Sequence, residues 1–154
     1  MDVIYCCYAG AHTSITAAAL HVGLLASKRN PTMSDILALP YFDATLQGQV
    51  GRVFKFGVDE LGTNVYVASL GPRRQATLAA LKLMLQESSV SMQNALIVNA
   101  LSCISLEVRI GGFLSRRLGL VSIGRPMCAK GIIRHFRCFE RLVAEARRAC
   151  HNNP

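Results

Sequence analysis

The sequence has no tryptophan, and Phe and Tyr supply only 6% of its 154 residues. Its core must therefore be aliphatic, drawn from the Leu, Ile, Val and Ala that dominate the 51% apolar content. Platforms for stacking bases are correspondingly scarce. Long apolar runs are lacking too. Ser14, Thr16 and His21 break one apolar stretch and Asn94 and Asn99 another, so no segment has the eighteen or so apolar residues of a membrane span. The first residues, Met1-Asp2-Val3-Ile4-Tyr5, have neither the basic region nor the small-residue cleavage pattern of a secretory signal. The expected compartment is the cytoplasm, without membrane association. There is no C-x-x-C pair among Cys6, Cys7, Cys103, Cys128, Cys138 and Cys150, and no Cys/His spacing suits zinc, so no metal is expected. In a cytosolic chain such cysteines read as reduced, small hydrophobes, and all six thiols are expected to be free. Acidic residues are few in the second half. Residues 78–154 hold eleven Lys/Arg against four Asp/Glu, whereas residues 1–77 hold six against five.

A chain of this length can bury roughly 70% of its unfolded surface and needs no staples. Val3-Ile4-Tyr5-Cys6-Cys7-Tyr8 reads as a buried strand of the parallel kind, continuous rather than alternating. Ala9-Gly10-Ala11-His12-Thr13 is a turn, and Thr13 or Ser14 can cap a helix running to about Leu25. Lys28 to Thr32 is a loop. A short helix from Thr32 or Ser34 stops at Pro40, and residues 41–50 are loop-like, with Gly48 among them. Arg52–Gly57 and Asn64–Ala68 alternate with period two around the turn Asp59-Glu60-Leu61-Gly62, which predicts an antiparallel hairpin. A helix follows over about Arg73–Glu87, a strand over Asn94–Ala100, and a helix over about Ser105–Leu118. Gly111-Gly112 inside that helix predicts a break or the close approach of a neighbouring backbone. Leu120-Val121-Ser122-Ile123 reads as a last strand, Gly124-Arg125-Pro126 as a loop, and Ala129–Cys150 as a final helix. The expected architecture is a three-layer α/β fold. Its sheet is mixed, with about five strands and one antiparallel hairpin over residues 52–68. No repeat or linker interrupts the chain, so residues 1–154 are expected to form a single domain.

Four stretches carry a resemblance: Cys7–Ser14 (CYAGAHTS), Ile36–Asp43 (ILALPYFD), Asp59–Tyr66 (DELGTNVY) and Arg109–Leu120 (RIGGFLSRRLGL). In this order, over nearly the whole chain, they resemble the bacterial proteins grouped as domain of unknown function 3189. The resemblance implies a single-domain bacterial cytosolic protein and carries over no catalytic residue.

The chemistry must come from the residues. A turn between a buried strand and a helix N-terminus presents unpaired N–H groups and the positive end of the helix dipole, a setting that favours anions. Gly10, Ala11, His12, Thr13 and Ser14 are the candidate ligand-binding residues, with Gly10 allowing close approach or positive φ. Two phosphate loops compare poorly. The P-loop pattern G-x-x-x-x-G-K-[ST] would need glycine at Tyr5 and lysine at His12. The cysteine-phosphatase pattern Cys-x5-Arg meets Thr13 where its arginine belongs, although Gly10 and Ser14 keep the loop's shape. Cys7 and His12 are the candidate catalytic residues, as nucleophile and as acid/base. Arg125, in a loop after the last strand, is expected to supply the missing clamp, with Arg116 and Arg117 nearby in sequence. Asp59-Glu60 and Asp43 are weaker carboxylate candidates, more simply read as solvated. The expected function is binding of a phosphate-bearing or other anionic small ligand, phosphate or nucleotide, at residues 7–14, extending to an enzyme acting on a phosphorylated small molecule. No cofactor is named by the residues. The alternative is a non-enzymatic protein that binds nucleic acid or a partner through its basic C-terminal half, provided Arg134, Arg137, Arg141 and Arg148 share one exposed face.

Overall fold

A computed structural model describes residues 2–25, 29–44, 50–87 and 95–151. Lys28, Gly48 and Asn94, assigned above to loops and a strand start, lie outside the described residues. Strand β1 (Val3–Cys7) is buried at every position because it is paired on both edges and covered on both faces. Helices α1 (Thr13–His21) and α2 (Met33–Leu37) follow. Strands β2 (Val53–Val58) and β3 (Asn64–Ser69) form the expected antiparallel hairpin, with a bulge between Lys55 and Gly57. Next come helix α3 (Arg74–Glu87), strand β4 (Leu96–Asn99), a 3-10 turn (Ala100–Cys103), and helices α4 (Leu106–Arg117), α5 (Val121–Arg134) and α6 (Phe136–His151).

The sheet order is β2-β3-β1-β4, with β1 parallel to both β3 and β4. Alternation along β1 splits the core. Val3 and Tyr5 face the larger cluster with residues of α1, α5 and α6, while Ile4 and Cys6 face Leu81 and Leu85 of α3. Helices thus cover both faces of a mixed sheet. The described sheet has four strands rather than five, because Leu120–Ile123 is not a strand. These residues are the turn into α5 and its first residues, and all four are exposed. A short apolar run cannot by itself distinguish a buried strand from a helix start. Helix α5 continues through Pro126, which was expected in a loop. The carbonyl that loses its partner to proline is that of Ser122, where solvent can satisfy it. The final helix is likewise two, broken at His135.

Two further expectations change. Neither Thr13 nor Ser14 caps α1. His12 occupies the N-cap without a side-chain bond, and both hydroxyl residues lie inside the helix. Cys103 and Cys138 form a disulfide that ties the 3-10 turn to α6, so the expectation of six reduced thiols is corrected. The packing of α6 beneath β4 brings together residues 35 positions apart, a proximity invisible in their spacing. Protein unfolded without reductant should expose four thiols, those of Cys6, Cys7, Cys128 and Cys150, and six after reduction. Six thiols before reduction would contradict the bridge. Among the described residues no helix is long and apolar enough to cross a membrane.

Candidate anion-binding site

Parallel pairing of β1, β3 and β4 puts their carboxyl ends on one edge of the sheet, where open α/β folds place ligands. The chain leaving each strand there, joined by α4, walls a cavity of about 880 Å³. Its lining includes Cys7, Tyr8, Ala9, His12 and Thr13 after β1, Ser69, Gly71, Pro72 and Arg74 after β3, and Leu101 and Ile104 after β4. Helix α4 contributes Val108, Arg109, Gly112, Phe113, Arg116 and Arg117.

The floor is the turn into α1. Gly10 adopts φ 66°, and its N–H donates to Cys7 Sγ at 3.1 Å. A Cβ on Gly10 would make only ordinary contact, at 3.4 Å from Ser69, so glycine serves the positive φ here rather than the approach of a ligand. The Ser14 hydroxyl shares a hydrogen bond with Cys7 Sγ at 3.0 Å instead of capping the helix. Ala11 accepts the backbone N–H of Asp43. Among the described residues, the N–H groups of Ala11, His12, Thr13 and Ser14 donate to no protein acceptor; all four residues are buried, and of the predicted Gly10–Ser14 set only His12 and Thr13 line the cavity. Buried N–H groups in native proteins nearly always have a partner. Thr13 is only 1% exposed, yet it lines the cavity and its hydroxyl makes no hydrogen bond among the described residues.

His12 stands beside this floor. Its Nε2 lies 2.9 Å from Asp43 Oδ1, and its ring meets Phe42 edge-on. A carboxylate only accepts, so Nε2 carries the proton and Nδ1 is the remaining ring nitrogen. A Cβ at Gly112 would lie 3.6 Å from Nδ1, so glycine in α4 keeps that side of the ring open. Ser115 donates to the other oxygen of Asp43. Burial pushes the Asp43 carboxyl up, but the hydrogen bonds from His12 and Ser115 and the charges of His12 and Arg116 together hold it below the usual carboxylate range. Asp43 has φ 55° and Tyr41 φ 62°, a left-handed backbone that side-chain-bearing residues rarely adopt. Such strain persists where surrounding contacts impose it, often at functional sites. Asp43, read from sequence as solvated, is therefore the residue that orients His12. Only the position after Tyr41-Phe42 hinted at it.

Arg125, the expected clamp, does not reach this cavity. That side chain leaves the second turn of α5, donates to the Leu37 carbonyl at 2.7 Å and does not line the cavity. It was expected here because residues 120–123 were read as a strand ending at this edge. The cavity instead has Arg74, Arg109, Arg116 and Arg117, and no Asp or Glu among its lining residues. Arg116 also donates to the Ala44 carbonyl, and none of the four makes an ion pair among the described residues. Arg116 and Arg117 were candidates in the sequence. Arg74 and Arg109 were missed, and their only signal was a place near the ends of predicted helices.

Asp59 and Glu60 lie at the other end of β3, in the hairpin turn. Asp59 Oδ1 accepts the N–H groups of Leu61 and Thr63, and Oδ2 lies 3.3 Å from His21 Nε2. It is sealed into the structure, while Glu60 is exposed beside Arg147. Among the described residues, no three His, Cys, Asp or Glu side chains gather closely enough to hold a metal ion.

No curated protein and no solved structure matches the chain. The family described as "Protein of unknown function (DUF3189)" matches residues 2–148, nearly the whole length and all of the cavity, and the chain belongs to that family.

Proposed function

We propose that the protein binds a phosphate-bearing or otherwise anionic small molecule in the cavity above α1. The observation that carries this reading is the N-terminus of α1 beneath an arginine-lined cavity, where His12 and Thr13 line the wall and their N–H groups meet no protein acceptor among the described residues. An anion seated there would accept both at the positive end of the α1 dipole. The side chains of Arg109 and Arg117, which make no hydrogen bond or ion pair among the described residues, are free to close on it with the planar fork that suits phosphate. Leu101, Ile104, Val108 and Phe113 supply an apolar wall. The ligand class is therefore an anion with an apolar or flat portion, within which a nucleotide falls.

Thermal-shift titration with inorganic phosphate, pyrophosphate and nucleotides tests this, because a ligand bound only by the native state raises the melting temperature. Chloride at matched ionic strength is the control. Arg109→Ala and Arg117→Ala should each weaken binding about tenfold, the loss of one charged hydrogen bond of roughly 1.5–3 kcal/mol. Gly10→Val should weaken it by straining the turn. Arg125→Ala should leave affinity unchanged. If no anion shifts the wild type, the reading fails.

A second reading has one observation in its favour. At 3.6 residues per turn, Arg137, Arg141 and Arg148 share one exposed face of α6, as a nucleic-acid interface requires. Arg137 is paired with Glu140 and Arg134 with Glu107, and Phe136 and Phe139 are buried, which leaves this face little charge and no stacking surface. Binding of DNA or RNA with a steep salt dependence that Arg141→Ala and Arg148→Ala reduce would favour it.

A further inference from the structure

We infer that the cavity hydrolyses phosphate monoesters, with Cys7 as the nucleophile and His12 as the acid/base. This rests on the anion-binding reading and goes beyond it by assigning a reaction. Cys7 lies on the cavity floor at the end of β1, and its sulfur receives the Gly10 N–H and meets the Ser14 hydroxyl. A donated backbone N–H and a hydroxyl in hydrogen-bond contact with one sulfur do more than packing needs, and both can donate to it once it carries negative charge for attack. The neighbouring N–H groups of His12 and Thr13, which line the cavity, are placed to receive the oxygens of a phosphoryl group bonded to that sulfur. An independent observation is Thr13, a residue only 1% exposed that lines the cavity and whose hydroxyl makes no hydrogen bond among the described residues, standing where the cysteine-phosphatase loop has its arginine. Arg109 and Arg117 of α4 provide the guanidinium that this loop lacks. His12, which also lines the cavity, has Asp43 behind Nε2 and no protein partner at Nδ1 among the described residues, the arrangement of a ring held in one orientation for proton transfer.

The step balances with water as the only co-reactant. The Cys7 thiol proton passes through solvent to His12 Nδ1, and the thiolate attacks phosphorus. The bond from phosphorus to the ester oxygen breaks, and the alcohol leaves with that electron pair and the proton from His12 Nδ1. His12 then takes a proton from water, whose oxygen attacks the phosphorus. The sulfur–phosphorus bond breaks, its pair returns to Cys7, and inorganic phosphate departs.

The probes are p-nitrophenyl phosphate and phenyl phosphate. The wild type should hydrolyse both, and acid-quenched samples should show phosphate on the Cys7 peptide by mass spectrometry. That readout needs no variant to fold. Cys7→Ser should lose turnover and adduct while inorganic phosphate still raises its melting temperature. His12→Asn should slow adduct formation from phenyl phosphate by about a hundredfold or more but from p-nitrophenyl phosphate far less, because p-nitrophenolate departs without a proton. Turnover by Cys7→Ser at the wild-type rate would overturn the inference. So would phosphate binding with neither turnover nor adduct, which leaves the anion reading intact. If none of phosphate, pyrophosphate and nucleotides shifts the melting temperature, both readings fall.

Discussion

Gly111→Ala should destabilise the protein by about 3 kcal/mol, although alanine is the better helix former by roughly 1 kcal/mol. A Cβ at Gly111 would lie 2.7 Å from the Gly124 carbonyl oxygen and 2.9 Å from both the backbone nitrogen and Sγ of Cys128. Two of these are backbone atoms of α5, which no rotamer change moves away. The helices would have to separate, and overpacking of this kind costs about 1–3 kcal/mol and occasionally more. For a domain of this size each kcal/mol lowers the melting temperature by roughly 2–4 °C, so a fall of about 10 °C is expected. Urea denaturation should show a lower midpoint at unchanged m. The adjacent Gly112→Ala is the contrast. Its Cβ would meet only the His12 ring, at 3.3 Å, so stability should stay within about 1 kcal/mol of wild type while the ring shifts. Equal stability of Gly111→Ala and wild type would refute the close α4–α5 contact.

The second large effect is expected at Asp59, with no loss of ligand binding. His21 is completely buried in α1, its Nδ1 2.7 Å from the Tyr5 hydroxyl and its Nε2 beside Asp59. The carboxylate accepts from Nε2–H, so Nδ1 accepts from Tyr5, and the ring is neutral. Asp59→Ala leaves His21 Nε2 and the N–H groups of Leu61 and Thr63 without their acceptor. The expected cost is about 3–5 kcal/mol, the range for breaking a buried charged contact. Phosphate affinity should not change, because the hairpin turn lies at the opposite edge of the sheet.

The same cluster makes stability depend on pH. Burial lowers the His21 pKa, the Arg147 charge lowers it further, and Asp59 opposes both. The native ring therefore binds its proton less readily than the unfolded ring, whose pKa is about 6.5. Where the unfolded state binds more protons, stability rises with pH. This contribution is complete above pH 6.5 or so and is lost as pH falls from there toward the lowered native value. Burial raises the Asp59 pKa, but the Leu61 and Thr63 donors and the His21 interaction outweigh it and leave it lowered. Its contribution is held above roughly pH 4 and lost as pH falls through the native value. Melting temperature should be flat near pH 7–8, fall gradually below about 6.5 and fall faster below about 4. His21→Gln should remove the first decline. A melting temperature constant from pH 7 to 5 would contradict the buried neutral ring.

Period two and period 3.6 are local properties, and the elements that depend on them alone were legible. Val3–Tyr8 announces a covered strand because all its residues are apolar. The 52–68 hairpin shows in its alternation and its Gly62 turn. Gly111-Gly112 signals close packing because nothing local in a helix asks for two glycines. The same local code misreads Leu120–Ile123, where the exposed start of α5 is as apolar as a core strand, and Arg125 was misplaced with it. What joins distant segments was decided by tertiary structure. Parallel pairing of β1, β3 and β4 brings Arg74, Arg109, Arg116 and Arg117 to the edge where α1 begins. A left-handed backbone at Tyr41 and Asp43 swings a carboxylate behind His12, and the packing of α6 joins Cys103 to Cys138. Which way a residue faces depends on its neighbours in the chain. Which residues it meets depends on the order and direction of the strands, which only the assembled sheet sets.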